Sequence, residues 1–300
     1  SSGSPSATRV GLYVGVPLAL AGLVYYASTA GSGDEKLAAL KKKALTNPTA
    51  ALNGTDFIDF ELKRVETLTP NTNRFVFALP DGATHLGLPT TSCVLAKSGD
   101  TVRPYTPLED PVKGTTGEFE LVVKKYKAGP MSEHIFSLQK GDTLALKGPI
   151  PKYPYVKNKD GHIALVAGGT GIAPMLQVVQ RVLADPSDKT TLSLLFANIS
   201  EQDIILRDYL DGLAKKHADR FSVFYTLDKP PAGWKGFTGF VDAEKLSHVL
   251  PKPGQGKVFV CGPPGMVASL SGPKAKDFSQ GELTGLLAKL GYSKDDVFKF

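Results

Sequence analysis

Residues 163–174 read Ile-Ala-Leu-Val-Ala-Gly-Gly-Thr-Gly-Ile-Ala-Pro. The first five form an unbroken apolar run, the pattern of a parallel strand buried on both faces. The glycines Gly168, Gly169 and Gly171 let backbone approach a phosphate or a ring closely. Pro174 falls near the first turn of a helix, where its missing N–H costs nothing. The expected strand–turn–helix presents a helix N-terminus, which favours anions. The turn departs from G-x-G-x-x-G because Pro174 stands where the third glycine belongs. Taken alone, it also fits an ordinary α/β turn.

Working outward, the downstream rhythm alternates. Strands are expected at 191–197, 221–227 and 257–260, with helices at 174–184 and 204–217. That βαβ succession predicts a parallel sheet that binds a nucleotide. Cys261-Gly262-Pro263-Pro264-Gly265 follows the last of these strands, on the carboxyl edge where open α/β sheets take ligands. A structural cysteine before a Pro-rich turn is the plainer reading of that stretch.

Upstream, residues 57–148 show short β-type runs broken by turn residues. Strands are expected at 57–67, 73–78, 92–97, 103–106, 118–126 and 142–147, with one helix at 130–139. Six short antiparallel strands and a helix predict a small closed barrel. Within it, Arg103-Pro104-Tyr105-Thr106-Pro107 offers a guanidinium fork, an aromatic ring and a hydroxyl. An edge strand ending in a turn would have the same composition.

The chain has 300 residues, 42% of them apolar and 21% charged, and it carries a formal net charge of +6. Its length predicts two domains, each able to bury a core. Two cysteines, Cys93 and Cys261, are too few for a four-thiolate iron–sulfur cluster. The five histidines show no axial haem motif, and no metal site is expected. Half of the positive balance lies in residues 1–55, which hold five basic and two acidic residues. Elsewhere the basic residues are scattered without interleaved aromatics, which argues against a nucleic-acid partner.

Between Arg9 and Asp34 there is no charge, and 10–30 reads VGLYVGVPLALAGLVYYASTA. Its roughly 18 apolar or small residues approach the roughly 20 that cross a bilayer as a helix. A signal-peptide core, a buried helix and a cleaved targeting segment compete with that reading; a single membrane anchor fits best. The expected organisation is an anchor over 1–33, a basic linker over 34–55, a barrel over 56–150 and an α/β domain over 151–300. Lys41-Lys42-Lys43 in the linker is either a solvated helix face or a contact for anionic headgroups.

Read together, these motifs, in this order and in a barrel-then-α/β setting, are far more specific than any one. The sequence resembles the ferredoxin–NADP-reductase-like flavoproteins and, among them, the NADH–cytochrome b5 reductases, most closely the fungal mitochondrial form. The resemblance covers about 57–300. It rests on Arg103-Pro104-Tyr105-Thr106, Gly129-Pro130-Met131-Ser132, Gly168-Gly169-Thr170-Gly171 and Cys261-Gly262-Pro263-Pro264. Leu195-Phe196-Ala197-Asn198, Asp203-Ile204-Ile205-Leu206-Arg207, Tyr225-Thr226-Leu227-Asp228 and the C-terminal Val297-Phe298-Lys299-Phe300 extend it.

The resemblance implies FAD and NADH as cofactors and a cytochrome b5-type haem protein as electron acceptor. It implies that Arg103 holds the FAD diphosphate beside Pro104, Tyr105 packs on the flavin and Thr106 bonds near its N5. Val122, Lys124 and Tyr126 match the next FAD-contacting strand, and Gly129, Met131 and Ser132 would meet the diphosphate. Thr170 would approach the flavin and nicotinamide side and Cys261 the site of hydride transfer, while Gly168, Gly169, Gly171, Gly262 and Pro263 would bind the cofactors. Thr106, Thr170 and Cys261 would thus be the catalytic set. Asp228 would accept from a ribose 2′-OH and repel a 2′-phosphate, favouring NADH over NADPH; a strand-end turn is the bland alternative.

Two departures stand out: Pro130 where the family often has lysine, and Ala173 where threonine is common. Lys97, Lys125, Lys127, Lys152, Lys157 and Lys159 are candidates for steering an acidic partner. The expected location is mitochondrial and membrane-anchored, at the outer membrane or as a processed intermembrane-space form. Another NAD(P)H-dependent flavin reductase, with a ferric or quinone acceptor, is the alternative activity. A tethered nucleotide-binding adaptor without turnover is the alternative class.

Overall fold

The computed structural model describes residues 49–109 and 117–300, together with Glu35, Ala38, Ala39 and Lys42. Six strands form the first unit: β1 (Ile58–Thr69), β2 (Thr72–Ala78), β3 (Ser92–Ser98), β4 (Thr101–Tyr105), β5 (Glu118–Lys124) and β6 (Thr143–Pro151). They pair antiparallel in the order β4-β3-β6-β1-β2-β5. The two open edges meet just beyond β4. Leu108 and Glu120 exchange two backbone hydrogen bonds of 2.9 Å each, closing the barrel.

Alternation along these strands sends Phe60, Phe75, Phe77 and Phe119 inward. The Phe119 ring lies edge-on to Phe60 at 5.1 Å between centroids and stacks on Phe77 at 5.5 Å. Helix α1 (Pro130–Ser137) joins β5 to β6, and its Met131 and Ile135 complete this core. Pro104 lies in β4, which has a strand partner on one side only, where a missing donor is tolerated.

The second unit holds β7 (His162–Gly168), β8 (Thr191–Asn198), β9 (Phe221–Leu227), β10 (Phe237–Thr238), β11 (Lys257–Cys261) and β12 (Val297–Lys299). All its pairs are parallel, in the order β10-β9-β8-β7-β11-β12. Alternate residues of β7 serve opposite faces. Ile163, Leu165 and Ala167 join the core under α2 (Ile172–Ala184) and α3 (Arg207–Lys216). Ala164 and Val166 pack toward α4 (Ala243–Ser247), α5 (Pro264–Ser271) and α6 (Gly285–Lys289). The strand order reverses between β7 and β11, so the ends of these two strands form a topological switch point.

The expected helix over 204–217 is shorter than its pattern. Asp203 accepts from the backbone and side chain of Ser200, capping a 3-10 turn at Glu201–Asp203. Leu206 at φ +57° then breaks the backbone before α3. Strand β10 and helices α4–α6 are too short to show a period. The apolar segment 10–30 lies outside the described residues. Among the described residues no helix is long and apolar enough to cross a membrane.

The two units meet through Tyr153, just past β6. Its ring stands 4.7 Å from Phe259 and 5.3 Å from Phe298. Leu108 and Val122 of the barrel also belong to the α/β core.

Candidate functional site

The carboxyl ends of β7 and β11 bring two of the motifs into contact. Ala167 pairs with Cys261, so the glycine turn and Cys261-Gly262-Pro263 leave the sheet side by side. The approach is close: a Cβ on Gly171 would stand 2.2 Å from the Cys261 carbonyl oxygen. Gly169 differs, because its φ of +53° demands glycine while the space beside it is open. Burial pushes the half-buried Cys261 thiol up to about 11, so it is uncharged at neutral pH.

The barrel supplies the facing wall. Tyr126, two residues past β5, reaches across so that its hydroxyl lies 3.4 Å from the Thr170 Oγ1. On the same strand, Lys124 stands 4.0 Å from Asp203 of the α/β unit, while Val122 is buried in the shared core. Strand β4 presents Arg103, exposed, with its Nη1 on the Val102 carbonyl. Among the described residues no carboxylate claims its guanidinium fork. Tyr105 and Thr106 are half-buried, and burial pushes the Tyr105 hydroxyl up to about 12.

Between β5 and α1 the chain makes a tight turn held by Ser132. Its hydroxyl accepts from the Tyr126 N–H at 3.1 Å and donates to the Gly129 carbonyl at 2.9 Å. Ser132 therefore holds the turn that carries Tyr126, and Met131 points into the barrel core. What the first turn of α1 offers a ligand is its free backbone N–H groups.

Farther along the sheet edge, the Asp228 N–H bonds to the Asn198 carbonyl at 3.1 Å, leaving the Asp228 carboxylate exposed. Phe240 comes to the same place, because Gly239 bonds back to Leu227 and Thr226 at 2.8 and 2.6 Å. Its ring is 82% exposed, an unusual cost for an aromatic with no function. Along β9 a cavity of about 540 Å³ is lined by Arg207, Tyr225 and Trp234 among others. The Arg207 guanidinium lies 5.3 Å from the Trp234 ring and 5.8 Å from Tyr225, and it pairs with Glu201. Sequence reading passed over Phe240 and this Arg207 stack; the short Trp-Lys-Gly-Phe-Thr-Gly-Phe run over 234–240 was the available signal.

Residues 59–155 match the oxidoreductase FAD-binding domain family, and 165–271 match the oxidoreductase NAD-binding domain family. The chain is 45% identical to NADH-cytochrome b5 reductase 2 of Coccidioides immitis over 310 residues, covering 100% of this chain and 94% of that protein. This chain belongs to the NADH-cytochrome b5 reductase family. The Aspergillus fumigatus NADH-cytochrome b5 reductase 2 is 44% identical over 96% of this chain and 90% of its own length. Among solved structures, the cytochrome b5 reductase domain of Ulva prolifera nitrate reductase superimposes with a TM-score of 0.71 at 34% identity. That match covers 84% of this chain and all of that one.

The residues of this reductase fit both cofactors of the family. Asn198 is 7% exposed at the end of β8, between the switch point and Asp228. Neither polar atom of its side chain has a partner among the described residues. A buried carboxamide left unpaired is costly in a protein that has no ligand for that edge. The open space beside Gly169, the Arg103 fork that no carboxylate among the described residues claims and the exposed Tyr126 ring suit a flavin dinucleotide at the junction.

Of the steering candidates, Lys125 and Lys127 are exposed on either side of Tyr126. Lys157 is already engaged by Asp185 at 3.0 Å and Ser187 at 2.7 Å.

Proposed function

We propose that this chain oxidises NADH through bound FAD and passes electrons singly to a cytochrome b5-type haem protein. The observation that carries the reading is the meeting of Tyr126 and Thr170 over the β7–β11 switch point. Bound FAD supplies the exchange between a two-electron donor and a one-electron acceptor. The protein's part is to bind, orient and exclude water.

Arg103 offers paired N–H donors to a diphosphate, and the first turn of α1 offers the backbone N–H groups of Met131 and Ser132, the Gly129 N–H being held by the Tyr126 carbonyl at 3.0 Å. Tyr105 and Tyr126 give ring faces for an isoalloxazine. Thr106 and Thr170 each present a hydroxyl at the junction. Cys261, kept as the neutral thiol, forms an uncharged wall where the nicotinamide ring would rest. Asp228 accepts from a ribose 2′-OH, and its charge opposes a 2′-phosphate. Phe240 gives an adenine an apolar face at the same end. Lys125 and Lys127, flanking Tyr126, suit the approach of an acidic partner.

The apolar segment 10–30 supports a membrane anchor, and the resemblance to the fungal form supports a mitochondrial location at the outer membrane. Alkaline carbonate extraction of the full chain from isolated mitochondria tests both; release into the supernatant removes the anchor.

The activity is tested by steady-state turnover with NADH against cytochrome b5, ferricyanide and quinones. The reading expects cytochrome b5 to be reduced at a low concentration of the protein. Turnover with quinone but not with cytochrome b5 contradicts it.

A further inference from the structure

Helix α2 leaves the switch point directly after Gly171, and Gln177 lies on its second turn, half-buried against the barrel. The carboxamide is used at both ends. Its Oε1 accepts from the Ser92 N–H at 3.0 Å, and its Nε2 donates to the Pro107 carbonyl at 2.7 Å. Ser92 opens β3 and is 1% exposed. Pro107 follows Thr106. One side chain of the α/β unit thus grips two separate segments of the barrel, one of them adjoining the residue placed beside the flavin.

Much of the rest of this junction is apolar, and the Tyr126–Thr170 and Lys124–Asp203 contacts that also cross it are longer, at 3.4 and 4.0 Å. Tyr153 packs on Phe259 and Phe298, and Leu108 and Val122 enter the α/β core. Apolar contact is non-directional, so it holds the units together without fixing their angle. Hydrogen bonds are directional. A planar group with an acceptor and a donor at one terminus is what this position needs: ionised glutamate lacks the donor, and methionine has no donor and only a weakly accepting sulfur.

We propose that Gln177 is a positioning residue that sets the distance between the Tyr105-Thr106 segment and the Gly169-Thr170 turn. The two rings of the reaction must meet across that distance. The proposal rests on the FAD and NADH reading of the site. It makes the rate of flavin reduction depend on a side chain that touches neither ring.

The test uses the full FAD-loaded chain with Gln177→Met, which keeps length, and Gln177→Glu, which keeps the acceptor. Anaerobic stopped-flow reduction by NADH and by 4-deuterated NADH is read alongside FAD content, Tm and NADH affinity. A misplacement near 1 Å costs on the order of 100-fold in rate. The expected result for Gln177→Met is a reduction rate down about tenfold or more. The hydrogen isotope effect should change, with FAD content and NADH affinity held within about twofold. Gln177→Glu should fall between it and the wild type. A wild-type rate in Gln177→Met overturns the proposal, as does a rate that falls only in step with FAD content and Tm. A wild-type chain that takes up no FAD overturns the functional reading itself and the proposal with it.

Discussion

Gly171 and Cys261 are 90 residues apart in sequence, yet a Cβ on the first would stand 2.2 Å from the carbonyl oxygen of the second. Backbone meets backbone there, so no flexible side chain can give way. The contact ties the β7 turn to the β11 turn at the reversal of strand order, and both are held where a dinucleotide crosses the sheet.

Gly171→Ala should therefore displace one turn from the other. Overpacking of this kind costs about 1–3 kcal/mol. Thermal melting should show a lower Tm, and NADH-driven reduction of the flavin should fall by more than the stability loss explains. An unchanged rate would mean that the register of the two turns does not matter to the chemistry.

Asp228→Ser removes the carboxylate at the adenosine end. A unit charge near a phosphate is worth about 1–4 kcal/mol at the surface of a protein. The kcat/KM ratio of NADH to NADPH should thus drop by about tenfold or more, mainly through better use of NADPH. Phe240→Ser at the same edge should raise KM for both nucleotides alike. Parallel changes in both variants would remove the charge argument.

Burial raises the Cys261 thiol from its ordinary 9.0 to about 11. A raised pKa means the folded chain holds this proton longer than the unfolded one. Its contribution to stability is complete below pH 9 and is lost as pH rises through about 11. Alkylation by iodoacetamide should likewise show no inflection near 9. It should run roughly 100-fold slower than a free thiol at pH 8 and roughly 25-fold slower at pH 9.5, following the thiolate fraction. Mass spectrometry of the Cys261 peptide reads this directly, and saturation near pH 9 would contradict it.

Lys299 is 2% exposed and its Nζ donates to the carbonyls of Ser271, Pro273 and Glu282 at 3.1–3.2 Å. The neighbouring Gln280 bonds the Lys299 backbone at 2.6 and 2.9 Å. One ammonium therefore organises the loop between α5 and α6. Lys299→Met strips three carbonyls, that of buried Ser271 among them, of their donor and should cost about 2–4 kcal/mol. Urea unfolding should show a lower midpoint at an unchanged slope.

The sequence made the architecture readable wherever a period or a breaker was long enough to speak. The five apolar residues before Gly168 became β7, and the Arg103–Thr106 run became the edge of the barrel beside the closing pair. Helices α4–α6 were hidden because five to eight residues show no period. Gln177 was hidden because a glutamine on an apolar helix looks like any solvated position until both of its partners are seen. Ser132 was legible as a site residue, but its hydroxyl holds the turn beneath Tyr126. Lys299 was invisible for a related reason, since an isolated lysine near a chain end reads as exposed. Motifs declare backbone geometry; they are silent about which polar side chains fold inward.

The most direct test of the account is an anaerobic titration of the FAD-loaded chain with NADH and, separately, with NADPH. Absorbance near 450 nm is followed, and cytochrome b5 is added at the end. The account predicts full bleaching by one equivalent of NADH and much slower bleaching by NADPH. Two equivalents of cytochrome b5 should then be reduced as the flavin colour returns. Bleaching by both nucleotides at equal rates, or a reduced flavin that leaves cytochrome b5 oxidised, would contradict it.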